Sequence, residues 1–124
     1  MSKLLLEEET YEILGSCFNV HNHFGNGFLE IIYKDALELE FTKNNIVYAR
    51  EKEYPVYYNN TKLRHTFYAD FVVFDKVILE VKAVSEISDA HKAQSMNYLK
   101  ISKNRVALLV NFGQQRLEYY RFII

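Results

Sequence analysis

Three charged residues stand inside apolar segments of the sequence and are the first candidates for chemistry. Asp70 lies within the run 67–74, and Glu80 and Lys82 lie within the run 77–83. Because an unpaired charge is expensive to bury, each of these groups needs a partner or a cleft. Both runs have the composition of β-strands. Glu80 and Lys82 are two residues apart, so they point to the same face of their strand, roughly 7 Å apart.

Whether Asp70 joins this pair depends on the register of the hairpin between the two strands. A two-residue loop at 75–76 places Asp70 opposite Val81, on the face away from Glu80. A register that pairs Asp70 with Glu80 or Lys82 needs an odd-numbered loop or a bulge. The hydrophobic pattern is compatible with both registers, because both faces of the strands read as buried. We predict the odd register, because it gathers two carboxylates and one ammonium group on one face.

Such a cluster suits metal-dependent hydrolysis of phosphodiesters. Two carboxylates at one locus repel each other and raise each other's pKa, and a divalent cation relieves the repulsion. Hard oxygen ligands favour Mg²⁺ or Mn²⁺. A neighbouring lysine can stabilise negative charge in the transition state or position a water molecule. The alternative without function is a Glu80–Lys82 pair that is solvated at a sheet edge.

The periodicity of apolar residues predicts the elements that position these groups. Two helices come first, three strands follow, and a third helix and two final strands complete the order α-α-β-β-β-α-β-β. This order predicts an α/β fold in which helices flank a mixed sheet. The predicted helices span 7–23, 28–43 and 88–101, and the predicted strands span 46–58, 62–74, 77–83, 105–111 and 116–123. Asn26 is a candidate N-cap of the second helix, and Pro55 indicates an edge strand or a bulge.

The second and third helices add two candidate site residues. Glu30 shares a helical face with the apolar Tyr33 and Leu37, which predicts either a third carboxylate in the cleft or a first-turn acid stabilised by the helix dipole. Both interpretations can hold together. Gln94 shares a face of the third helix with Tyr98. It is either a hydrogen-bonding residue of the site or an ordinary exposed polar residue.

Composition limits the classes of function. The chain has 124 residues, one domain's worth, with 10 Tyr, 9 Phe and a formal net charge of −1. A general nucleic-acid coat is disfavoured, because such proteins carry a basic excess. A chain without a basic excess attracts a polyanion weakly, so dimerisation, a partner or a bound metal must supply the missing attraction. Cys17 is the single cysteine, which excludes an internal disulfide and a zinc site made of cysteines. The absence of a long apolar run leads us to expect a cytoplasmic protein.

The same residues carry a resemblance to a known family. The segment 27–33, with Gly27, Glu30 and Tyr33, resembles the signature of the GxxExxY protein family. Asp70 followed by 80–82 is similar to the D…(D/E)xK core of the PD-(D/E)xK phosphodiesterase superfamily, to which that family is assigned. The resemblance runs from about Tyr11 to Phe122. Further similar segments are 68–71, 93–94, 97–99, 108–113 and 117–118.

The resemblance implies a restriction-endonuclease-like core and a role for each candidate residue. Asp70 and Glu80 would be metal ligands, with the Val81 carbonyl as a further candidate, and Lys82 would be the catalytic lysine. The remaining two candidates, Glu30 and Gln94, match an extra acid on an early helix and a polar residue on the helix after the ExK strand. Ala69 stands where the superfamily name has proline.

Two hypotheses follow. The first is a nuclease that hydrolyses DNA or RNA with Mg²⁺ or Mn²⁺, whose metal ligands are Asp70, Glu80 and Glu30, and whose other site residues are Lys82 and Gln94. The second is a catalytically silent module that keeps the fold, binds nucleic acid or protein, and acts as a homodimer through its aromatic surface.

Overall fold

The computed structural model describes residues 4–124 and contains a five-stranded mixed sheet with helices on both sides. The strand order in this sheet is β1-β4-β5-β6-β7, and β2 and β3 form a separate two-stranded hairpin. The helices are α1 (Glu7–Phe24), α2 (Glu30–Lys43) and α3 (Asp89–Ser102). The strands are β1 (Tyr48–Tyr54), β2 (Tyr57–Tyr58), β3 (Thr61–Lys62), β4 (Phe67–Val73), β5 (Val77–Lys82), β6 (Val106–Asn111) and β7 (Glu118–Ile123).

The sheet has a central parallel pair, β5 and β6, whereas its other pairs are antiparallel. Parallel neighbours need a long crossover connection, and α3 supplies it. All six residues of β6 are buried, as predicted from its continuous apolar run. No helix in the range 4–124 is long and apolar enough to cross a membrane.

Two hydrophobic clusters lie on opposite faces of the sheet. The larger one joins α1 and α2 to the sheet and includes Leu37, Leu79 and the fully buried Cys17. The smaller one joins α3 to the other face and includes Ile78 and Leu99. Alternate residues of β5 therefore face different helices, and both faces of this strand are buried. The predicted α/β architecture with flanking helices is confirmed.

The eight predicted elements are present, but the extents of two strands and the start and N-cap of the second helix differ from the prediction. The strands predicted over 46–58 and 62–74 are each broken, because β1 ends before Pro55 and residues 63–66 lie outside any strand. The breaks leave β2 and β3 as a hairpin of their own around the left-handed turn at Asn59 and Asn60. The second helix begins at Glu30 and not at Phe28, and its N-cap is Leu29 and not Asn26. Pro55 follows β1, which is an edge strand as predicted.

The odd register of the β4–β5 hairpin is confirmed. Val73 pairs with Val77, and a three-residue turn at 74–76 joins them. Phe74 and Asp75 both have positive φ, of 59° and 56°, which closes this turn.

Candidate active site

The odd-numbered side chains of β4 point to one face of the sheet before Asp70 and to the other face after it. Phe67 and Ala69 pack in the cluster beneath α3, whereas Phe71 and Val73 pack in the cluster beneath α1 and α2. A regular strand would place all four odd-numbered residues on one face. The alternation therefore slips by one residue around Asp70, which lies at the boundary between the two faces.

The alternation of side chains in the neighbouring strand β1 is also displaced by one residue, next to Asp70. Tyr48 packs on the α1–α2 side and Tyr54 packs on the α3 side, although both are even-numbered. Between them, Glu51 has φ 53°, in the left-handed region that residues other than glycine seldom adopt. Such conformations concentrate at functional sites. The two irregularities lie side by side and mark the position of the site.

Both carboxylate oxygens of Asp70 are engaged. The backbone N–H of Val81 donates a hydrogen bond of 2.8 Å to Oδ2, and the ammonium group of Lys34 donates one of 2.9 Å to Oδ1. The first bond ties Asp70 to the strand that carries Glu80. The paired register ends at Phe71–Leu79, and Asp70 and Glu80 are the next residues of the two strands.

Glu80 is a buried carboxyl group with an unused oxygen. Its exposed fraction is 5%, and its Oε1 has no hydrogen-bond partner within the described part of the chain. Burial first, and then the negative charge of Asp70, raise the pKa of Glu80 to about 9. A buried oxygen without a partner is costly in a folded protein. This oxygen is therefore a natural place for a bound cation.

Lys34 lies among the carboxylates, and sequence reasoning missed it. Its side chain is 9% exposed, and its Nζ lies 2.8 Å from Glu51 Oε1, 2.9 Å from Asp70 Oδ1 and 4.0 Å from Glu30 Oε2. Hydrogen bonds and attraction from Glu51 and Asp70 outweigh burial and raise the pKa of Lys34. The only available signal was that Lys34 stands four residues after Glu30 on one helical face.

Glu51 was missed as well, because β1 reads as an edge strand rich in charged residues. Its side chain is half exposed, and its partner, Lys34, comes from α2 and not from the sheet. Neither the left-handed backbone nor this distant contact leaves a pattern in the sequence.

Glu30 is the first residue of α2 and is partly exposed at the site. Burial, and then the charge of Asp70, raise its pKa, while Lys82 and Lys34 lower it. These influences show that the charge of Glu30 interacts with those of Asp70, Lys82 and Lys34. Both interpretations of Glu30 remain compatible with its position, since it also lies at the N-terminus of the helix.

The turn before Glu30 is clamped by Tyr33. The fully buried Tyr33 donates a hydrogen bond of 2.6 Å to the Gly25 carbonyl and accepts one of 3.3 Å from the Phe28 N–H. Its ring stacks on Phe112, with centroids 4.6 Å apart. Gly27 has φ 104°, which favours glycine at this point of the turn. Gly27 and Tyr33 therefore fix where α2 begins and so where Glu30 points.

Lys82 and the α3 face lie at the other side of the carboxylates. Lys82 follows Glu80 by two residues on β5 and is half buried. Tyr98 of α3 has a raised pKa because of burial and then the charges of Glu80 and Asp70, so α3 borders the site. Gln94 lies one turn before Tyr98 on α3 and is exposed.

The chain after β5 is held by a separate clamp. The buried Asn111 accepts hydrogen bonds from the N–H groups of Val84 and Gly113 and donates to Val84 O and Glu118. A Cβ at Gly113 would lie 2.2 Å from the Val84 carbonyl oxygen, so only glycine fits. The clamp fixes the end of β5 directly after Lys82.

The donor atoms fit a hard divalent cation. Asp70, Glu80 and Glu30 offer carboxylate oxygens, and the free Oε1 of Glu80 is unmatched by any protein donor in the range 4–124. Within that range no three side chains of His, Cys, Asp or Glu are already arranged to hold a metal ion. The Lys34 ammonium group is shared between Asp70 and Glu51 and balances one of their two negative charges.

The comparisons with known proteins agree with this architecture. No curated protein matches the chain. Among solved structures it is similar to one described as "Crystal structure of SSO0001", with a TM-score of 0.60 and 20% identity. The match covers 95% of this chain and 59% of that chain, so this chain spans less than two thirds of its structural neighbour. The likeness shows the fold, which is restriction-endonuclease-like.

A family model described as the PD-(D/E)XK nuclease superfamily matches residues 7–122. The match contains the clamped turn, the slipped strands and the Asp70–Glu80–Lys82 constellation. The chain belongs to the PD-(D/E)XK nuclease superfamily.

Proposed function

We propose that the protein is a metal-dependent phosphodiesterase that hydrolyses nucleic acid. The observation that carries the proposal is the buried Glu80, whose Oε1 has no partner among the described residues and whose pKa is raised by burial and by the charge of Asp70. Membership of a nuclease superfamily supports phosphodiester bonds as the class of substrate.

The ion would be held by Asp70 and Glu80, with Glu30 as a third, more exposed oxygen donor. Carboxylate donors favour Mg²⁺ or Mn²⁺. When bound, such an ion polarises a phosphate and lowers the pKa of a water molecule. Asp70 is suited to the role of ligand because the Val81 N–H fixes its orientation.

Lys82 is the proposed catalytic lysine. It points to the same face as Glu80, and its ammonium group is close enough to lower the pKa of both Glu80 and Glu30. Its proposed role is to orient the attacking water or to neutralise charge on the phosphate in the transition state. Gln94 would hydrogen-bond a phosphate or a water at the rim.

We also propose membership of the GxxExxY family within the superfamily. Its three signature residues have separate physical roles here. Gly27 adopts a positive φ and Tyr33 clamps the turn, while Glu30 extends to the site. This division of roles supports a signature that builds one corner of the site.

Cleavage assays test the proposal. The wild type is incubated with single-stranded and double-stranded DNA and RNA, in Mg²⁺, in Mn²⁺ and in EDTA. We expect metal-dependent cleavage, and a loss on the order of 100-fold or more in Asp70→Asn, Glu80→Gln and Lys82→Met. The matched control is Asp89→Asn, which removes one exposed acid at the start of α3. Equal cleavage by wild type and Asp70→Asn would refute the proposal.

One observation favours the silent module as a second candidate. Lys34 already neutralises Asp70, which a module without metal chemistry would keep as a structural ion pair. Calorimetry with Mg²⁺ and Mn²⁺ separates the candidates. Asp70-dependent binding supports the enzyme, and no heat of binding at millimolar metal supports the module.

A homodimer is the proposed assembly in either case. Tyr57 and Tyr58 on the β2–β3 hairpin are 61% and 69% exposed, and exposed tyrosines are common in interfaces. A dimer would also double the surface that holds a polyanion, which a chain of net charge −1 needs. Sedimentation of the wild type and of a Tyr57→Ser, Tyr58→Ser variant tests it, and a monomeric wild type would contradict it.

A further inference from the structure

The ammonium group of Lys34 has an unusual environment. It is 9% exposed and lies within hydrogen-bond distance of two carboxylates that come from two different strands, Asp70 on β4 and Glu51 on β1. A third carboxylate, Glu30, lies 4.0 Å away. The ammonium group thus lies where the negative charges of carboxylates from α2, β1 and β4 come together.

Among residues 4–124, no other cation forms ion pairs with acids from three different elements. The acids that face Lys34 are Glu30 from its own helix, Glu51 from β1 and Asp70 from β4. Lys82 influences Glu30 and Glu80 from β5 without an ion pair among the described residues. A divalent ion that uses Asp70 therefore meets the positive charge of Lys34 next to its ligand.

We propose that Lys34 is an internal counter-ion that competes with the divalent cation for Asp70 and so sets the metal affinity of the site. The inference rests on the proposed function, since it assumes that Asp70 is a metal ligand. It assigns Lys34 a role that is distinct from the catalytic one proposed for Lys82.

A second hydrogen bond, independent of Lys34, holds Asp70 in place. Asp70 Oδ2 is fixed by the Val81 N–H at 2.8 Å, and this bond does not involve Lys34. Removal of the ammonium group would leave the carboxylate anchored and increase its negative charge density. The metal affinity should therefore rise, whereas a supporting role for Lys34 would make it fall.

Calorimetric titration of the full chain with Mn²⁺ tests the inference. We expect Lys34→Gln to bind Mn²⁺ at least about tenfold more tightly than the wild type, because a unit charge a few ångström away in an effective dielectric of about 20 has at least that effect. Lys34→Arg keeps the charge and should retain the weaker affinity. The matched control is Lys76→Gln, which removes an exposed cation at the opposite end of β5.

The outcomes separate this inference from the proposed function. Binding by the wild type with equal or weaker binding by Lys34→Gln would overturn the inference and leave the metal site in place. Binding by Lys34→Gln alone would support the inference and would favour the silent module. Binding by neither protein would overturn both.

A measurement on the wild type keeps the test valid if Lys34→Gln does not fold. A lysine ammonium group held by two carboxylates exchanges its protons slowly and gives a distinct ¹H–¹⁵N signal, which Lys34→Arg assigns by its absence. We expect Mg²⁺ to shift or remove this signal. A signal that saturating Mg²⁺ leaves unchanged would overturn the inference.

Discussion

Glu51 and Asp70 stand directly opposite each other on adjacent strands but do not pair. The residues on either side do pair, Arg50 with Phe71 and Lys52 with Ala69. The left-handed backbone of Glu51 interrupts the ladder at this one step. It is also the step at which both strands exchange the faces to which their side chains point. The site therefore lies where the pairing of β1 and β4 is locally interrupted.

The backbone of Glu51 gives a first prediction. Glu51→Gly should change the free energy of unfolding by less than about 1 kcal/mol, because relief of the left-handed conformation offsets the lost contact with Lys34. Glu51→Val should lower it by about 2 kcal/mol or more, because a β-branched residue tolerates this conformation poorly. Urea denaturation in EDTA measures both. Equal stability of the two variants would show that the positive φ is unimportant.

The raised pKa of Glu80 gives a pH dependence. The folded-state pKa is about 9 and the ordinary value is 4.5, so the folded protein holds one more proton than the unfolded chain between these values. The free energy of unfolding in EDTA should therefore fall as pH rises through this window, by at most about 1.4 kcal/mol per pH unit from this group.

Glu80→Gln is the matched variant for this effect, because it keeps the shape and cannot ionise. We expect it to gain stability relative to the wild type between pH 5 and pH 8. Parallel pH profiles of the two proteins would contradict the assignment. The measurement is the urea midpoint at each pH, with metal removed.

The clamp after β5 predicts a severe effect of one methyl group. Gly113→Ala would bring a Cβ to 2.2 Å from the backbone oxygen of Val84, which is not a flexible side-chain atom. We expect a loss of about 2 to 4 kcal/mol in the free energy of unfolding. Gly15→Ala is the control, because its Cβ would meet no atom within 4 Å apart from its chain neighbours and the nearby backbone of its own helix. A harmless Gly113→Ala would show that the Asn111 clamp is loose.

Tyr33→Phe isolates one hydrogen bond of the turn before Glu30. The ring and its stacking on Phe112 remain, and the hydroxyl bond to the Gly25 carbonyl is lost. We expect a loss of about 1 kcal/mol or somewhat more in the free energy of unfolding, since the carbonyl loses its buried partner. Thermal denaturation measures it. No change in stability would indicate that the hydroxyl does not hold the turn.

Much of the architecture could be predicted from local pattern. Helical periodicity identified α1, α2 and α3, and the apolar run of β6 indicated a central strand. Charges inside apolar segments identified Asp70 and Glu80, because burial of such groups is costly unless they are used. The odd hairpin register followed from the same reasoning.

What could not be predicted depends on contacts between distant segments. The turn at Asn59 and Asn60 could be predicted from its residue types, but the separation of β2 and β3 from the main sheet could not, because the strand-like residues on both sides of the turn concealed the breaks at 55–56 and 63–66. The pairing of Lys34 with Glu51 joins a helix to an edge strand, and a lysine on a helix ordinarily reads as a solvated residue. The change of side-chain direction in β1 and β4, at Glu51 and Asp70, leaves no sign in the pattern of apolar residues.

The nuclease proposal and the role of Lys34 both depend on one claim, that Asp70 and Glu80 bind the same divalent ion. A crystal structure of the protein soaked in Mn²⁺, with anomalous diffraction data, tests this claim most directly. We expect one anomalous peak in contact with carboxylate oxygens of both Asp70 and Glu80, with the Lys34 ammonium group displaced from Asp70. No peak at saturating Mn²⁺, or a peak that contacts neither carboxylate, would contradict it.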